Sequence, residues 1–205
     1  MWIKICGMTT AAAVEAALAA RVAAIGFVFA PSVRELTPQA ARALAAPARG
    51  RVRCVAVTRH PTQRAVDEIV RVFAPDLLQS DAEDRATLRL PATLEFLAVV
   101  RAGTPLPAPL PPWVLFEGPA SGSGAVSDWS AARELARRTQ LVLAGGLSAA
   151  NVAAAIARVQ PFGVDVSSGV EERPGLKSPA EIVRFVSAVR ASGGATAAVA
   201  TEDST

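Results

Sequence analysis

WIKICGMTTAAAVEAALAARVAAIGFVF, residues 2–29, contains two mostly apolar runs of strand length separated by a stretch with helical spacing. The first run, Trp2 to Cys6, and the second, Ala24 to Phe29, carry apolar residues on both faces. Between them TTAAAVEAALAARVA repeats its larger apolar side chains at helical intervals. Strands apolar on both faces and joined through a helix belong to a parallel sheet covered by helices. A doubly wound open sheet would place a glycine-rich GxGxxG turn after the first strand, and CGMTTA does not supply one.

The same pattern recurs along the chain. Further runs cover Val52 to Thr58, Asp76 to Gln79, Leu94 to Val100, Trp113 to Glu117, Leu141 to Ala144 and Gly163 to Val166. Helical patterns TPQAARALAA, PTQRAVDEIVRVF, SDWSAARELARR, SAANVAAAIARV and SPAEIVRFVSAVR lie between or after them. Thr37-Pro38 and Ser178-Pro179 read as N-cap plus first-turn proline, with Glu181 completing a capping box at Ser178. Eight strands in this alternation predict a closed α/β structure, a (βα)8 TIM barrel, as a single domain over residues 1–191. The segment GTPLPAPLPP, 103–112, has five prolines, so the fifth crossover is expected to be an extended loop instead of a helix. Residues 192–205 lack periodicity and are expected to form a disordered tail.

Composition narrows the function. The 205 residues are 51% hydrophobic and carry a net charge of +3 without a basic arm or stripe, which argues against nucleic acid as a partner. No apolar run approaches the ~18 residues of a membrane span. Two cysteines without a CxxC spacing fit a reduced, soluble, cytoplasmic protein. The only histidine, His60, precedes Pro61 at a helix start and reads as a solvated loop residue, and no metal site is apparent. Trp2 and Trp113 begin strands and, with Trp129, read as core or bottom-face residues.

In a parallel barrel the chemistry sits at the carboxyl ends of the strands. The residues there are Cys6, Arg34, Thr58 with Arg59, Asp81, Glu117, Gly145 with Gly146, and Ser167 with Ser168. Alternation puts Lys4 with Cys6, Leu115 with Glu117, and Asp165 with Ser167 on shared faces that can line the barrel. Strands one and eight become neighbours on closure, so Lys4 and Asp165 could pair just below the mouth, either as a core ion pair or as part of the site. A cation below Cys6 would favour its thiolate, from a reference pKa of ~8.5, with Asp165 offsetting part of the field. LAGGLS after strand seven and DVSSGVE after strand eight offer free amides where barrels of this kind hold phosphate; Gly145, Gly146, Asp165, Ser167, Ser168 and Gly169 are the candidates.

KICGMT, GFVFAPSVRELTP, LAGGLSAANV and FGVDVSSGVEERPGLK resemble the signature segments of the phosphoribosylanthranilate isomerase family, in the same order and spacing from residue 4 to about 190. The resemblance implies a monomeric or homodimeric barrel, an intramolecular oxidoreductase of the aldose–ketose type in tryptophan biosynthesis. Such an enzyme uses no cofactor and acts on a small phosphosugar. It would convert N-(5-phosphoribosyl)anthranilate to the carboxyphenylamino-deoxyribulose phosphate by an Amadori rearrangement. Carried over by position, Cys6 is the general base that removes the C2′ proton and Glu117 is the general acid on the ring oxygen. Arg34 is the partner of the anthranilate carboxylate.

Three segments depart from the family pattern. Glu117 stands where the family has aspartate, and an extra methylene moves a carboxyl by about 1.5 Å, enough to cost ~10²-fold in rate if uncompensated. The following GSG, 122–124, comes sooner than in the family. LLQSDAED replaces a QLHG-like segment, so Asp81 takes the place of a histidine, as a substrate contact or as a helix N-cap. AVTRHP replaces an FVN-like segment and brings Arg59 to the mouth, to assist with an anionic ring substituent or to face water. These departures keep two alternatives open: a non-catalytic or redirected phosphosugar-binding barrel, and an isomerase or epimerase of another sugar phosphate.

Overall fold

A computed structural model describes residues 1–118 and 128–195, with eight parallel strands in a closed barrel. The strands are β1 (Trp2–Cys6), β2 (Ala24–Val28), β3 (Arg53–Val57), β4 (Leu77–Asp81), β5 (Glu95–Arg101), β6 (Trp113–Glu117), β7 (Gln140–Leu143) and β8 (Gly163–Val166), each paired with its sequence neighbour. β1 pairs with β8 to close the ring. Two strands run further than their apolar runs suggest: β4 reaches Asp81 and β5 reaches Arg101. Both added ends carry charge into the mouth.

The helices are α1 (Ala11–Ala19), α2 (Pro38–Ala45), α3 (Gln63–Phe73), α4 (Asp84–Thr87), α5 (Trp129–Ala136), α6 (Val152–Val159) and α7 (Pro179–Ala195). Side-chain oxygens of Thr10, Thr37, Thr62 and Asp128 accept from amides in the first turns of α1, α2, α3 and α5. They satisfy donors that a helix start leaves orphaned. Ser178 Oγ does the same for the Glu181 amide at 3.4 Å, but the Glu181 carboxylate takes Arg184 at 2.6 Å, so the capping box predicted there is only half formed. No helix lies between β5 and β6, as the proline-rich segment predicts. α7 continues through Ala195, four residues into the predicted tail; residues 196–205 and the GSG of 122–124 lie outside the described residues.

Alternation along the strands divides the core in two. Ala24, Val55, Leu77, Leu97, Val99, Leu115, Val142 and Ala144 fill the barrel, while Ile3, Ile5, Ile25, Phe27 and their counterparts meet the helices. Trp2 and Trp113 stack edge to face at the bottom, 5.8 Å apart, remote from the carboxyl ends. A short antiparallel hairpin, β9 (Glu171–Arg173) and β10 (Leu176–Lys177), follows β8 and is absent from the sequence expectation. Thr9 Oγ1 donates to Gly175 O at 2.6 Å, tying this hairpin to the loop after β1.

Candidate active site

The inward positions at the carboxyl ends converge on one cavity of about 230 Å³. Cys6, Arg34, Arg59 and Glu117 line it, together with Gly145, Gly146, Asp165, Ser167 and Ser168. Asp81 and Gly169 do not line it.

The floor is polar. Register sets Lys4 opposite Asp165, and Lys4 Nζ donates to Asp165 Oδ1 at 2.9 Å with the lysine fully buried. Cys6, one inward step above Lys4, is only 7% exposed, far more enclosed than a strand-end thiol meeting solvent. Its β2 neighbour in register is Gly26, where a Cβ would stand 3.1 Å from the sulfur, so the missing side chain makes room for it. Burial pushes the Cys6 thiol above its ordinary value, with Asp165 adding to the rise, and this outweighs the opposing pull of Lys4 and Lys177. The expectation that Lys4 would favour a resting thiolate is therefore corrected: Asp165 neutralises Lys4 at close range, and desolvation decides.

On the β8 side, Arg34 grips Glu171 with two bonds, Nε to Oε1 and Nη2 to Oε2, both 2.7 Å. Lys177 Nζ meets the same carboxylate at 2.6 Å and also donates to Ser167 O and Oγ at 3.0 and 3.2 Å. Burial alone would raise the Glu171 carboxyl, yet Arg34 and Lys177 hold it below the usual range. Burial wins for the Lys177 ammonium, which sits below its ordinary value despite Glu171. Glu171 and Lys177 were missed as site residues because they lie in a hairpin beyond the strand end; that Lys177 is one of only two lysines is the signal that marks it. Arg34 Nη1, with no partner among the described residues, is the part of this clamp left for a ligand.

The phosphate-type turns meet each other. Asn151 accepts from the Ser148 amide at 2.9 Å and donates to Gly146 O at 2.8 Å, which fixes the GGLS turn. The amides of Gly145, Gly146, Ser168 and Gly169 donate to no backbone carbonyl among the described residues. A Cβ on Gly169 would lie 1.9 Å from Leu147 O, so glycine alone lets the two turns touch. Gly169 thus shapes the pocket from behind. Gly169→Ala is expected to push the turns apart and raise KM about tenfold or more, the loss of one charge-assisted hydrogen bond, with a smaller change in kcat. Steady-state kinetics check this.

On the opposite side Arg101 joins Glu117 and Asp81. Arg101 Nη2 is 3.0 Å from Glu117 Oε1, and Nη1 contacts Asp81 Oδ1. Asp81 is the last residue of β4, whereas the residue capping α4 is Glu83, so the helix-cap reading of Asp81 is corrected. Arg59 is 60% exposed at the rim, its Nε 3.9 Å from Asp81 Oδ2. His60 is a solvent-exposed loop residue, as expected, and its ring also bridges Asp84 at 3.0 Å and Asp81 at 3.1 Å. His60, Asp81 and Glu83 bring one potential metal-ligand atom each within 4.8 Å. Asp81 already carries Arg101 and Arg59, whose charges oppose a cation there.

A family model described as N-(5'phosphoribosyl)anthranilate (PRA) isomerase matches residues 3–188. The chain belongs to the PRA isomerase family. It is 35% identical over 220 residues to the N-(5'-phosphoribosyl)anthranilate isomerase of Chelativorans sp. (strain BNC1), covering 94% of this chain and 97% of that one. The crystal structure of phosphoribosyl anthranilate isomerase from Thermus thermophilus superposes with a TM-score of 0.81 at 27% identity, covering 93% and 99% of the two chains. A PRA isomerase solved in complex with reduced 1-(o-carboxyphenylamino)-1-deoxyribulose 5-phosphate gives a TM-score of 0.76 at 25% identity, covering 93% and 99%. Among the described residues of this family member no helix is long and apolar enough to cross a membrane.

Proposed function

We propose that the chain catalyses the cofactor-free Amadori rearrangement of N-(5'-phosphoribosyl)anthranilate, with Glu117 as general acid and Cys6 as general base. The observation that carries the reading is that Cys6 and Glu117 line one cavity whose third side is the pair of amide-bearing turns after β7 and β8. Glu117 protonates the furanose ring oxygen, the C1′–O bond breaks, and the nitrogen lone pair forms the Schiff base. Cys6 then takes the C2′ proton, and the resulting enolamine becomes the aminoketose on reprotonation. An acid and a base on different strands can serve both ends of one pentose without exchanging places. The phosphate sits against Gly145, Gly146, Ser167 and Ser168, and Arg34 and Arg59 offer positive charge to the anthranilate carboxylate.

Burial raises the Cys6 thiol, so the resting enzyme holds a proton on sulfur. The competent form needs Cys6 as thiolate and Glu117 as carboxylic acid. The profile of kcat/KM against pH is then a bell whose acidic limb reports the carboxyl and whose alkaline limb reports the thiol. Its plateau is lowered tenfold for each unit by which the thiol pKa exceeds that of the carboxyl. Purified protein mixed with freshly prepared phosphoribosylanthranilate is expected to extinguish the substrate's fluorescence along this bell. Phosphosugar binding without consumption of that substrate would favour the non-catalytic barrel, and turnover of a different sugar phosphate alone would favour a changed substrate.

A further inference from the structure

Asp81, Arg101 and Glu117 form a line of alternating charge across three adjacent strands. The register sets Arg101 directly opposite Glu117, whereas Asp81 faces Val99, one inward step below Arg101. Arg101 therefore reaches sideways to Glu117 and back down to Asp81, with Nη2 3.0 Å from Glu117 Oε1 and Nη1 on Asp81 Oδ1. Asp81 is 1% exposed and Arg101 mostly covered, so these charges act through little water. The second oxygen of Asp81 has the His60 ring at 3.1 Å, out of line for a hydrogen bond, and Arg59 at 3.9 Å. Asp84 holds the other ring nitrogen of His60 at 3.0 Å.

We propose that Arg101 is a positioning residue for the acid and Asp81 its counter-anchor: Arg101 holds the Glu117 carboxyl in one place, and Asp81 divides the arginine's charge so that Glu117 can still take a proton. This rests on the reading of Glu117 as general acid. Glutamate has one more rotatable bond than aspartate, and a lateral contact with Arg101 narrows the set of rotamers its carboxyl can take. Misplacement near 1 Å costs ~10²-fold, so a fixed lateral contact has a direct return in rate. An arginine facing Glu117 alone would hold it as carboxylate and disable it as an acid. Facing two carboxylates, it commits to neither fully. Burial would loosen the Arg101 proton, but Asp81 and Glu117 more than offset that, so the cation between them is permanent.

The test follows kcat/KM and kcat against pH. Asp81→Asn keeps the shape but takes away the second carboxylate on Arg101, so the acidic limb is expected to move to lower pH and the plateau to fall about tenfold per unit moved. Arg101→Met is expected to move that limb to higher pH, which by itself raises the plateau, and through loss of position to lower kcat about tenfold net of that rise, with KM changed less than about threefold. If the buried Asp81 keeps Arg101→Met from folding, Asp81→Asn with Arg101→Met removes both charges and should show the same upward limb. A limb that stays at the wild-type pH in the folded variants, with only the melting temperature altered, overturns the proposal and leaves a structural ion pair. The acid reading fails separately: Glu117→Gln would then retain wild-type turnover. If Glu117 is the acid, Asp81→Asn in a Glu117→Gln background should produce no further limb shift, and a further shift there would also overturn the proposed route through Glu117.

Discussion

Replacing Cys6 with alanine is expected to lower kcat by about 10²–10⁴-fold while changing affinity for a phosphorylated product analogue by less than about threefold. The substitution removes the thiol's contact with Lys4 but leaves the Lys4–Asp165 pair beneath it, bonded at 2.9 Å, to hold the floor. Cys6→Ser should not rescue, because a hydroxyl at the same place ionises far less readily than a thiol. Turnover is followed by substrate fluorescence and affinity by titration with reduced product analogue. Near-wild-type turnover in Cys6→Ala would remove the base. Alkylation gives an independent reading: if burial has raised the thiol, its inactivation by iodoacetamide should accelerate only above the ordinary cysteine pKa.

The inward faces were legible because a strand has a period of two and barrel closure leaves no freedom about neighbours. Lys4 with Cys6, Leu115 with Glu117, and Asp165 with Ser167 all point inward, and Lys4 meets Asp165 across the β1–β8 seam. Strand ends were less legible, since hydrophobicity stops where charge begins although the ladder does not. β4 continues through Ser80 to Asp81, which turns a helix-cap candidate into an inward carboxylate. β5 continues to Arg101, and that single residue brings a guanidinium to Glu117. The sign of the Cys6 shift was out of reach for another reason. It depends on how much water the assembled mouth excludes and on the absent side chain of Gly26, neither of which is written in KICG. The Arg34–Glu171–Lys177 clamp joins the loop after β2 to a hairpin more than a hundred residues later, and charge spacing in the chain carries no trace of that contact.

Lys4→Met should be among the most destabilising single changes in the barrel, by about 3–5 kcal/mol, because it leaves the Asp165 carboxylate buried without its partner. In a domain of this size that corresponds to a fall in melting temperature on the order of 10 °C. Lys4 itself keeps its proton above the ordinary value of 10.5: burial alone would pull it down, but Asp165, with a smaller share from Cys6, more than offsets that. A raised folded pKa means the pair's contribution is fully present below the unfolded value and fades only as pH climbs through the folded one, so the loss in Lys4→Met should be undiminished at neutral pH. Asp165→Asn should also destabilise, while the double variant, with no orphaned charge, should regain much of the loss. The two single variants have opposite effects on the thiol above them. Lys4 pulls the Cys6 pKa down and Asp165 pushes it up, so Lys4→Met should raise it further and Asp165→Asn should lower it. Thiol titration monitored by absorbance at 240 nm reads both. Movement in the same direction in both folded variants would mean that solvent entering a loosened barrel, and not the charge pair, governs the base. Opposite movement would make the floor of the barrel an electrostatic control on its chemistry, with an arginine–aspartate pair playing the corresponding part for the acid at the rim.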